Sequence, residues 1–304
     1  MSAKVLQGAE VAQSIERKVL SEVECLKGLG VTPTLAILRI GEKYSDLLFE
    51  RRVAESAARV GINVRHIALS DDVSQREVIL TVQNLNEDLS IHGILMCRPL
   101  PEHIDEYKVR NMIDPAKDTD GITDVSLARM FVGSQGGYTP CTAQACMEIL
   151  DHYSYDLKGK NIIVVGRSLA VGRPVAMLLL ERSATVTIAH SQTENLIDLV
   201  RQAEIVVTSV GSPHMFGPEY FVPGQTVIDV GTNFVTETKL IGDVDFDAVQ
   251  ETVAAITPVP GGVGTVTSST LVKHVMESVK KQFGNMEISQ NEEGVCNITL
   301  NAKK

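Results

Sequence analysis

A glycine-rich turn directly after an apolar run is the first feature of this sequence that could do chemistry. The run NIIVVG leads straight into RSLAVGRPVA, so Gly166 and Gly172 flank the point where a strand would give way to a helix. Bare glycine backbone at such a turn lets a phosphate approach the helix N-terminus, as a bound dinucleotide requires. Because the spacing is G-x-S-x-x-x-G and not G-x-G-x-x-G, the motif alone fits an ordinary strand–helix turn equally well.

The next predicted strand indicates which dinucleotide would bind. Folds that prefer NAD usually place a carboxylate about 20 residues further on, where it holds the ribose 2′-hydroxyl. Here the run ATVTIAH ends in His190 and is followed by Ser191, with no carboxylate. Arg167 lies in the glycine turn, where its guanidinium could pair with a 2′-phosphate, and the Ser191 hydroxyl could add a hydrogen bond. The sequence therefore predicts NADP, with a solvated Arg167 and a helix-capping Ser191 as the structural alternatives.

Helical and strand patterns alternate along the chain, which predicts an α/β fold with mainly parallel sheets. The first series contains the strand-like runs TLAILRI (34–40), NVRHIAL and IHGILMC, with helices predicted over 44–60 and 74–88. The second series starts at Lys160 and contains EIVVTSV and QTVIDVG. We therefore predict two domains, an N-terminal α/β substrate domain and a Rossmann-type NADP-binding domain with a parallel sheet.

The boundary between the two domains is predicted at the turn-rich segment GSQGGYTP, which ends at Pro140. The predicted segments are 1–140 plus 268–290 for the substrate domain, 141–267 for the NADP-binding domain, and 284–304 for a polar C-terminal tail. A helix from Ser268 to Lys281 is expected to pack back on the first domain. The tail is expected to be loosely held, with a possible short strand from Val295 to Leu300.

Composition excludes several classes of protein. The chain has 304 residues, of which 44% are hydrophobic and 22% charged, as in globular domains. A net charge of −10 and an aromatic content of 4%, with no Trp, argue against a nucleic-acid-binding surface. No apolar run approaches the ~18 residues of a membrane span, and the N-terminus has no secretory signal pattern. We therefore expect a cytoplasmic protein that binds neither membranes nor nucleic acids.

The cysteines and histidines predict no cross-link and no metal. The five cysteines form no C-x-x-C pair, which suggests neither a disulfide framework nor a zinc site. The histidines show no ligand spacing with one another, so no metal is predicted.

Several motifs, in order, resemble the methylenetetrahydrofolate dehydrogenase/cyclohydrolase family. They are IDPAKDTDG (113–121), TPCT (139–142), VVGRSLAVGRPVA with ATVTIAHSQT, VIDVGTN (227–233), GDVDF (242–246) and TPVPGGVGTVT (257–267). The resemblance covers residues from about 5 to 283. It implies a homodimer that oxidises 5,10-methylenetetrahydrofolate to the 5,10-methenyl cation with transfer of hydride to NADP. In most members a second activity hydrolyses that cation to 10-formyltetrahydrofolate.

The resemblance also assigns site residues. By position, the NADP contacts are Gly166, Arg167, Ser168, Gly172 and Ser191, with Thr232 contacting the cofactor through its backbone. Asp120 matches the carboxylate that grips the pterin ring, where paired N–H donors suit a bidentate acceptor. Pro260, Gly261 and Gly262 match the loop along the folate and nicotinamide. An Asx turn at Asp120 and a rigid turn at PVPGG are the structural alternatives.

The sequence departs from the family at the cyclohydrolase residues. An ungapped alignment between Gly41 and Gly61 places Phe49 at the usual Tyr and Val53 at the usual Lys, and MCRPLP places Cys97 at the usual Gln. Hydride transfer needs no side chain to accept a proton, whereas hydration of the methenyl cation benefits from an acid/base group that Val53 cannot supply. Lys43 and Tyr44 in the preceding loop are possible substitutes.

These departures lead us to predict a dehydrogenase with weak or absent cyclohydrolase activity. The alternatives are a fully bifunctional enzyme with compensating groups, and an NADP oxidoreductase of this fold that acts on another substrate. A non-catalytic binding protein is less favoured, because GRSLAVG, HSQT and TPVPGGVG all remain intact.

Overall fold

The computed structural model describes residues 2–133, 136–236, 239–284, 286–290 and 296–300, which form two compact units. The six-stranded unit comprises Met1–Ala12 and Thr142–Thr267, and the three-stranded unit comprises Gln13–Cys141 and Ser268–Lys304. No helix in the described part of the chain is long and apolar enough to cross a membrane.

The strands, in chain order, are β1 (Lys4–Val5), β2 (Thr34–Ile40), β3 (Asn63–Leu69), β4 (Gly93–Met96), β5 (Asn161–Val165), β6 (Thr185–Ala189), β7 (Ile205–Thr208), β8 (Thr226–Asp229), β9 (Asn233–Phe234), β10 (Leu240–Ile241), β11 (Ala255–Ile256), β12 (Met286–Gln290) and β13 (Cys296–Leu300). The α-helices are α1 (Gly8–Gly28), α2 (Tyr44–Val60), α3 (Gln75–Glu87), α4 (Glu106–Arg110), α5 (Asp124–Val132), α6 (Cys141–His152), α7 (Gly172–Glu181), α8 (Leu196–Gln202), α9 (Phe246–Val249) and α10 (Val263–Gln282).

The three-stranded unit is built on a parallel sheet in the order β3-β2-β4. β2 is central and almost wholly buried, as its continuous apolar run predicts. The chain passes from β2 to β3 on one side and then crosses to β4 on the other, so a topological switch point lies between β2 and β4. The predicted helix over 44–60 is confirmed, and it ends at Gly61, whose φ of 75° suits a glycine cap.

The six-stranded unit is built on a parallel sheet in the order β1-β11-β8-β7-β5-β6. β7 and β8 are buried along their length, and β5 is buried after its first residue, as expected for strands of a parallel sheet whose two faces are covered by helices. The chain passes from β5 to β6 and then returns across β5 to β7. A second switch point therefore lies between β5 and β7, and the crevice outside the carboxyl ends of such strands is where open parallel sheets bind their ligands.

The N-terminal residues differ from the domain prediction, which placed all of 1–140 in one domain. β1 pairs in parallel with β11, with Lys4 opposite Ala255 and Val5 opposite Ile256, so residues 1–12 belong to the six-stranded unit. A two-residue strand carries no periodic pattern, and only its neighbour in the folded sheet reveals it.

The C-terminal tail contains a hairpin, of which the sequence analysis predicted one strand, and a cross-link that it did not predict. β12 and β13 pair antiparallel, and a disulfide joins Cys25 in α1 to Cys296 in β13. The prediction that the cysteines form no disulfide is therefore wrong, because spacing says nothing about two residues 271 positions apart. The predicted strand began at Val295, which lies outside the described residues, as do 291–294 and 301–304.

Candidate active site

The glycine turn of the six-stranded unit lies at its switch point. Gly166 follows β5 with a φ of 134°, a backbone conformation that only glycine adopts easily, and its N–H donates to the carbonyl of Ala189 at 2.9 Å. A Cβ on Gly172 would lie 2.2 Å from the Gly166 carbonyl oxygen. Both glycines are therefore required for α7 to begin directly against the turn. This cradle fits the diphosphate of a dinucleotide.

Arg167 and Ser168 follow Gly166 and are both exposed. The Ser168 hydroxyl accepts hydrogen bonds from the backbone N–H groups of Val171 at 3.1 Å and Gly172 at 3.4 Å. Ser168 therefore stabilises the start of α7, a role that the sequence analysis did not assign to it.

Ser191 follows the end of β6, the strand next to β5, and it is exposed. The helix after it begins at Leu196 with Asn195 as its N-cap, so Ser191 does not cap that helix. Arg167 and Ser191 thus each follow the carboxyl end of one of two adjacent parallel strands. These positions suit side chains that would contact a 2′-phosphate.

A buried carboxylate that the sequence analysis missed shapes the loops after β7 and β8. Asp243 is fully buried and accepts hydrogen bonds from the backbone N–H groups of Val210, Gly211 and Ser212 (2.6, 3.3 and 3.0 Å) and from the Asn233 amide (2.9 Å). Thr232, the predicted backbone contact, lies exposed beside Asn233. The signal for Asp243 was present in the motif GDVDF, from which no residue was singled out.

A second buried carboxylate, Asp229 at the end of β8, holds Asp243 in place. Asp229 accepts hydrogen bonds from the backbone N–H groups of Gly231, Asp243 and Val244 at 2.9, 3.1 and 3.0 Å. Burial, with the charge of Asp243 adding to it, raises the pKa of Asp229 to about 6 although these hydrogen bonds oppose the shift. The two carboxylates fix the loops on one side of the crevice.

The PVPGG loop packs against the start of α1 within the six-stranded unit. The Gly8 N–H donates to the Gly261 carbonyl at 2.8 Å, and a Cβ on Gly8 would lie 2.2 Å from the Gly262 carbonyl oxygen. Pro260 is exposed, and its peptide bond with Val259 is cis.

Asp120 lies in the three-stranded unit, in the segment that runs beside β4. Burial of its carboxyl group raises its pKa to about 7, the nearby charge of Arg98 opposes this, and Asp118 reinforces it. The backbone carbonyl of Asp120 accepts a hydrogen bond from the N–H of Cys141 at 3.2 Å. A carboxylate in such an environment gains strongly from a ligand with two N–H donors.

One face of α2 carries two of the substituted cyclohydrolase positions. Asp46, Glu50 and Val53 are buried on this face and Phe49 is half-buried, with the spacing of three and four residues that aligns side chains along a helix. Val53 has no exposed surface. The same helical spacing, applied to the sequence, would have identified Asp46 and Glu50.

Cys97 follows the end of β4 and lies near both the buried face of α2 and Asp120. Burial raises the pKa of the Cys97 thiol to about 12, and the charges of Asp46, Glu50 and Asp120 reinforce the shift while Arg39 opposes it. All three carboxyl groups therefore lie within electrostatic reach of Cys97, at the switch point between β2 and β4. The thiol is neutral at physiological pH and is not a nucleophile.

Glu50 and Asp46 have different surroundings. Glu50 accepts a hydrogen bond from the Arg39 guanidinium at 2.7 Å and pairs with the His66 ring at 2.5 Å. Asp46 accepts a weaker hydrogen bond from the Ser45 hydroxyl at 3.2 Å, and burial raises its pKa.

The proposed substitutes Lys43 and Tyr44 lie just before and at the start of α2. The Lys43 ammonium donates to the Pro99 carbonyl at 3.0 Å, and the Tyr44 side chain is 50% exposed.

A parallel sheet with a glycine turn at its switch point is typical of dinucleotide-binding proteins, and the three-stranded unit carries a partly buried carboxyl group at Asp120. The model of the tetrahydrofolate dehydrogenase/cyclohydrolase NAD(P)-binding domain matches residues 140–283, and that of the catalytic domain of the same family matches residues 6–120. The chain belongs to the tetrahydrofolate dehydrogenase/cyclohydrolase family. The predicted family and α/β fold are confirmed, and an NAD(P)-binding domain accords with NADP as the cofactor.

Three relatives illustrate the similarity. Bifunctional protein FolD of Dictyoglomus thermophilum is 41% identical over 277 residues, which cover 91% of this chain and 97% of that protein. The methylenetetrahydrofolate dehydrogenase-cyclohydrolase (FolD) of Trypanosoma brucei, whose structure is complexed with NADP and an inhibitor, is 35% identical with a TM-score of 0.89, covering 93% and 99% of the two chains. A 5,10-methylenetetrahydrofolate dehydrogenase from the silkworm Bombyx mori is 34% identical with a TM-score of 0.86, covering 92% and 99%.

Proposed function

We propose that this protein is an NADP-dependent 5,10-methylenetetrahydrofolate dehydrogenase that also hydrolyses its 5,10-methenyl product. The observation that carries the proposal is the partly buried carboxyl group of Asp120, with its raised pKa, at the switch point of a unit that matches the family's catalytic domain. The two-step activity differs from the expectation of weak or absent cyclohydrolase. It is favoured because relatives that match over nine-tenths of the chain are named as bifunctional.

The dehydrogenase step depends on binding and alignment. NADP, when bound, accepts the hydride from the methylene carbon of the folate. The turn at Gly166 and Gly172 admits the diphosphate, while Arg167 and Ser191 bind the 2′-phosphate. Asp120 in its ionised form accepts two N–H bonds from the pterin ring and so orients the folate. No side chain has to accept a proton in this step.

The hydrolysis step needs a group that takes a proton from the attacking water. Val53 has no such group, and the Cys97 thiol stays protonated near neutral pH. Lys43 is exposed, and its side chain is engaged as a hydrogen-bond donor to the Pro99 carbonyl. Asp46 is a buried carboxyl on the same face of α2 as Val53 and within electrostatic reach of Cys97, and burial raises its pKa. We assign the proton transfer to Asp46.

A dehydrogenase without the second activity is the other candidate. It is favoured because none of the three substituted positions supplies acid/base chemistry: Phe49 and Val53 have no titratable group, and the Cys97 thiol has its pKa raised to about 12. The silkworm relative is named as a dehydrogenase alone.

A two-wavelength assay with methylenetetrahydrofolate and NADP distinguishes these candidates. It follows NADPH and the methenyl product together, against a blank without enzyme. Removal of methenyl faster than the blank supports the bifunctional enzyme, and removal only at the blank rate supports the dehydrogenase alone. If no NADPH forms, the folate assignment is wrong and another substrate must be sought.

The role of Asp46 is tested in the same assay. Asp46→Asn is expected to slow methenyl removal by about 10²- to 10⁴-fold, as the loss of a general base does, while NADPH formation continues. Glu42→Gln, at an exposed carboxylate four residues earlier, is the matched control and should change neither rate. Unchanged methenyl removal in Asp46→Asn would assign the step to another group.

We further propose a cytoplasmic homodimer, as the family resemblance implies, with NADP preferred over NAD. Sedimentation equilibrium tests the dimer, and cell fractionation tests the location. Because disulfides are rare in reducing compartments, the redox state of Cys25 and Cys296 in the recovered protein is a second indicator of location.

A further inference from the structure

Ser209 occupies the switch point of the six-stranded unit itself. It directly follows β7, and its backbone N–H donates to the carbonyl of Val165, the last residue of β5, at 2.8 Å. Ser209 therefore bridges the two strands whose carboxyl ends open the crevice. This is the position at which parallel α/β sheets bind their ligands.

The Ser209 hydroxyl is buried and has no hydrogen-bond partner among the residues that the structure describes. It lies against the bare α-carbon of Gly166, since a Cβ on Gly166 would be 2.3 Å from the Ser209 Oγ. Buried hydroxyl groups are normally paired, because an unpaired one loses its hydrogen bonds to water without replacement. An unpaired hydroxyl against the glycine turn therefore needs an explanation.

Nearby backbone N–H groups are not hydrogen-bond partners of the Ser209 hydroxyl, because they are paired elsewhere. The N–H groups of Val210, Gly211 and Ser212 donate to Asp243, and the N–H of Gly166 donates to Ala189. These groups are engaged in holding the loops that border the crevice. The residue as a whole is partly exposed although its Oγ is not, so rotation about the Cα–Cβ bond gives the hydroxyl a route towards the crevice.

We propose that Ser209 is a cofactor-binding residue whose hydroxyl turns towards the crevice and donates a hydrogen bond to the diphosphate of the bound dinucleotide. A diphosphate is the part of the cofactor that a glycine turn at a helix N-terminus receives, and a hydroxyl beside that turn supplies a further donor to an anionic oxygen. The inference rests on the proposed function, because it requires that a nicotinamide dinucleotide binds in this crevice.

Ser209→Ala tests the proposal, because its effect on the melting temperature is expected to differ between the free and the cofactor-bound protein. Without cofactor, the variant is expected to melt at the same temperature as the parent protein or higher, because an unpaired buried hydroxyl has been removed. With cofactor, the rise in melting temperature is expected to be smaller than in the parent. The Kd measured by calorimetry is expected to increase about tenfold, the loss of one hydrogen bond to a charged group.

The increase in Kd should be the same for NADP and NAD, since the two share the diphosphate. Thr252→Ala, which removes a partly exposed hydroxyl from the same unit, is the control and should leave both Kd values unchanged. A lower melting temperature of Ser209→Ala without cofactor would show a structural role and overturn the proposal. So would unchanged Kd values, or a loss confined to NADP. If the parent protein binds neither dinucleotide, the proposed function itself fails.

Discussion

At the scale of single residues, burial of Asp120 favours its neutral form, whereas binding of a pterin ring requires its ionised form. Burial raises its pKa to about 7, yet only the ionised carboxylate can accept both N–H groups of a pterin ring. We therefore expect kcat/KM for methylenetetrahydrofolate to fall about tenfold per pH unit below an apparent pKa near 7. The pH profile of kcat/KM measures this. A flat profile between about pH 5 and 8 would contradict the assigned role of Asp120.

We expect Arg167 to determine the preference for NADP over NAD. It is exposed beside the glycine turn, where its charge can meet a 2′-phosphate but no group of NAD. Arg167→Ala is expected to raise the Kd for NADP by about 10- to 100-fold and that for NAD by less than about threefold. Calorimetric titration with both cofactors measures the two Kd values. An equal increase in Kd for NADP and NAD would contradict the assignment of Arg167 to the 2′-phosphate.

At the scale of elements, Glu16 in α1 joins three helices of the three-stranded unit. Its carboxylate accepts hydrogen bonds from Ser56 and Arg59 in α2 and from Ser269 in α10, at 2.7, 2.7 and 2.8 Å. Glu16→Ala leaves both buried serine hydroxyls unpaired, and we expect it to lower the free energy of unfolding by about 2–3 kcal/mol in urea. The exposed Glu24 of the same helix provides the control, because Glu24→Ala should cost at most about 0.5 kcal/mol.

The sign of the pH effect at Glu16 provides a second readout. Burial favours the neutral acid, but the hydrogen bonds from Arg59, Ser56 and Ser269 outweigh it and lower the pKa. The folded state therefore holds the proton less tightly than the unfolded chain, so the stability that Glu16 contributes is lost as pH falls through its lowered pKa. The difference in stability between the parent protein and Glu16→Ala should accordingly shrink in acid; a constant difference would contradict this assignment.

At the scale of the whole molecule, the Cys25–Cys296 disulfide closes the chain between α1 and the C-terminal hairpin. Reduction is expected to lower the free energy of unfolding by about 2–4 kcal/mol and to make the hairpin the first site of proteolysis. Urea unfolding with and without dithiothreitol measures this. Cys25→Ala should be insensitive to the reductant, and the denatured, unreduced parent protein should show only the thiols of Cys97, Cys141 and Cys146. No response of the parent protein to dithiothreitol would contradict the cross-link.

Much of the fold could be predicted because its signals are local. The apolar run of β2, the periodicity and glycine cap of α2, and the run of β5 into the glycine turn each lie within about 20 consecutive residues. Parallel order follows from the alternation of such elements, since a strand, a helix and a strand in sequence make a right-handed parallel unit. For the same reason, the candidate residues at strand ends could be expected to meet at one edge of a sheet.

What the sequence by itself determined is therefore the α/β class, the two series of strands and the family. Only the tertiary structure decided that Lys4 and Val5 extend the six-stranded sheet, that Cys25 meets Cys296, that Asp46 lies within electrostatic reach of Cys97, and that the Ser209 hydroxyl is buried against Gly166. Each of these pairs joins positions far apart in the chain. Their meeting depends on strand order and helix packing, which no local pattern of residues encodes.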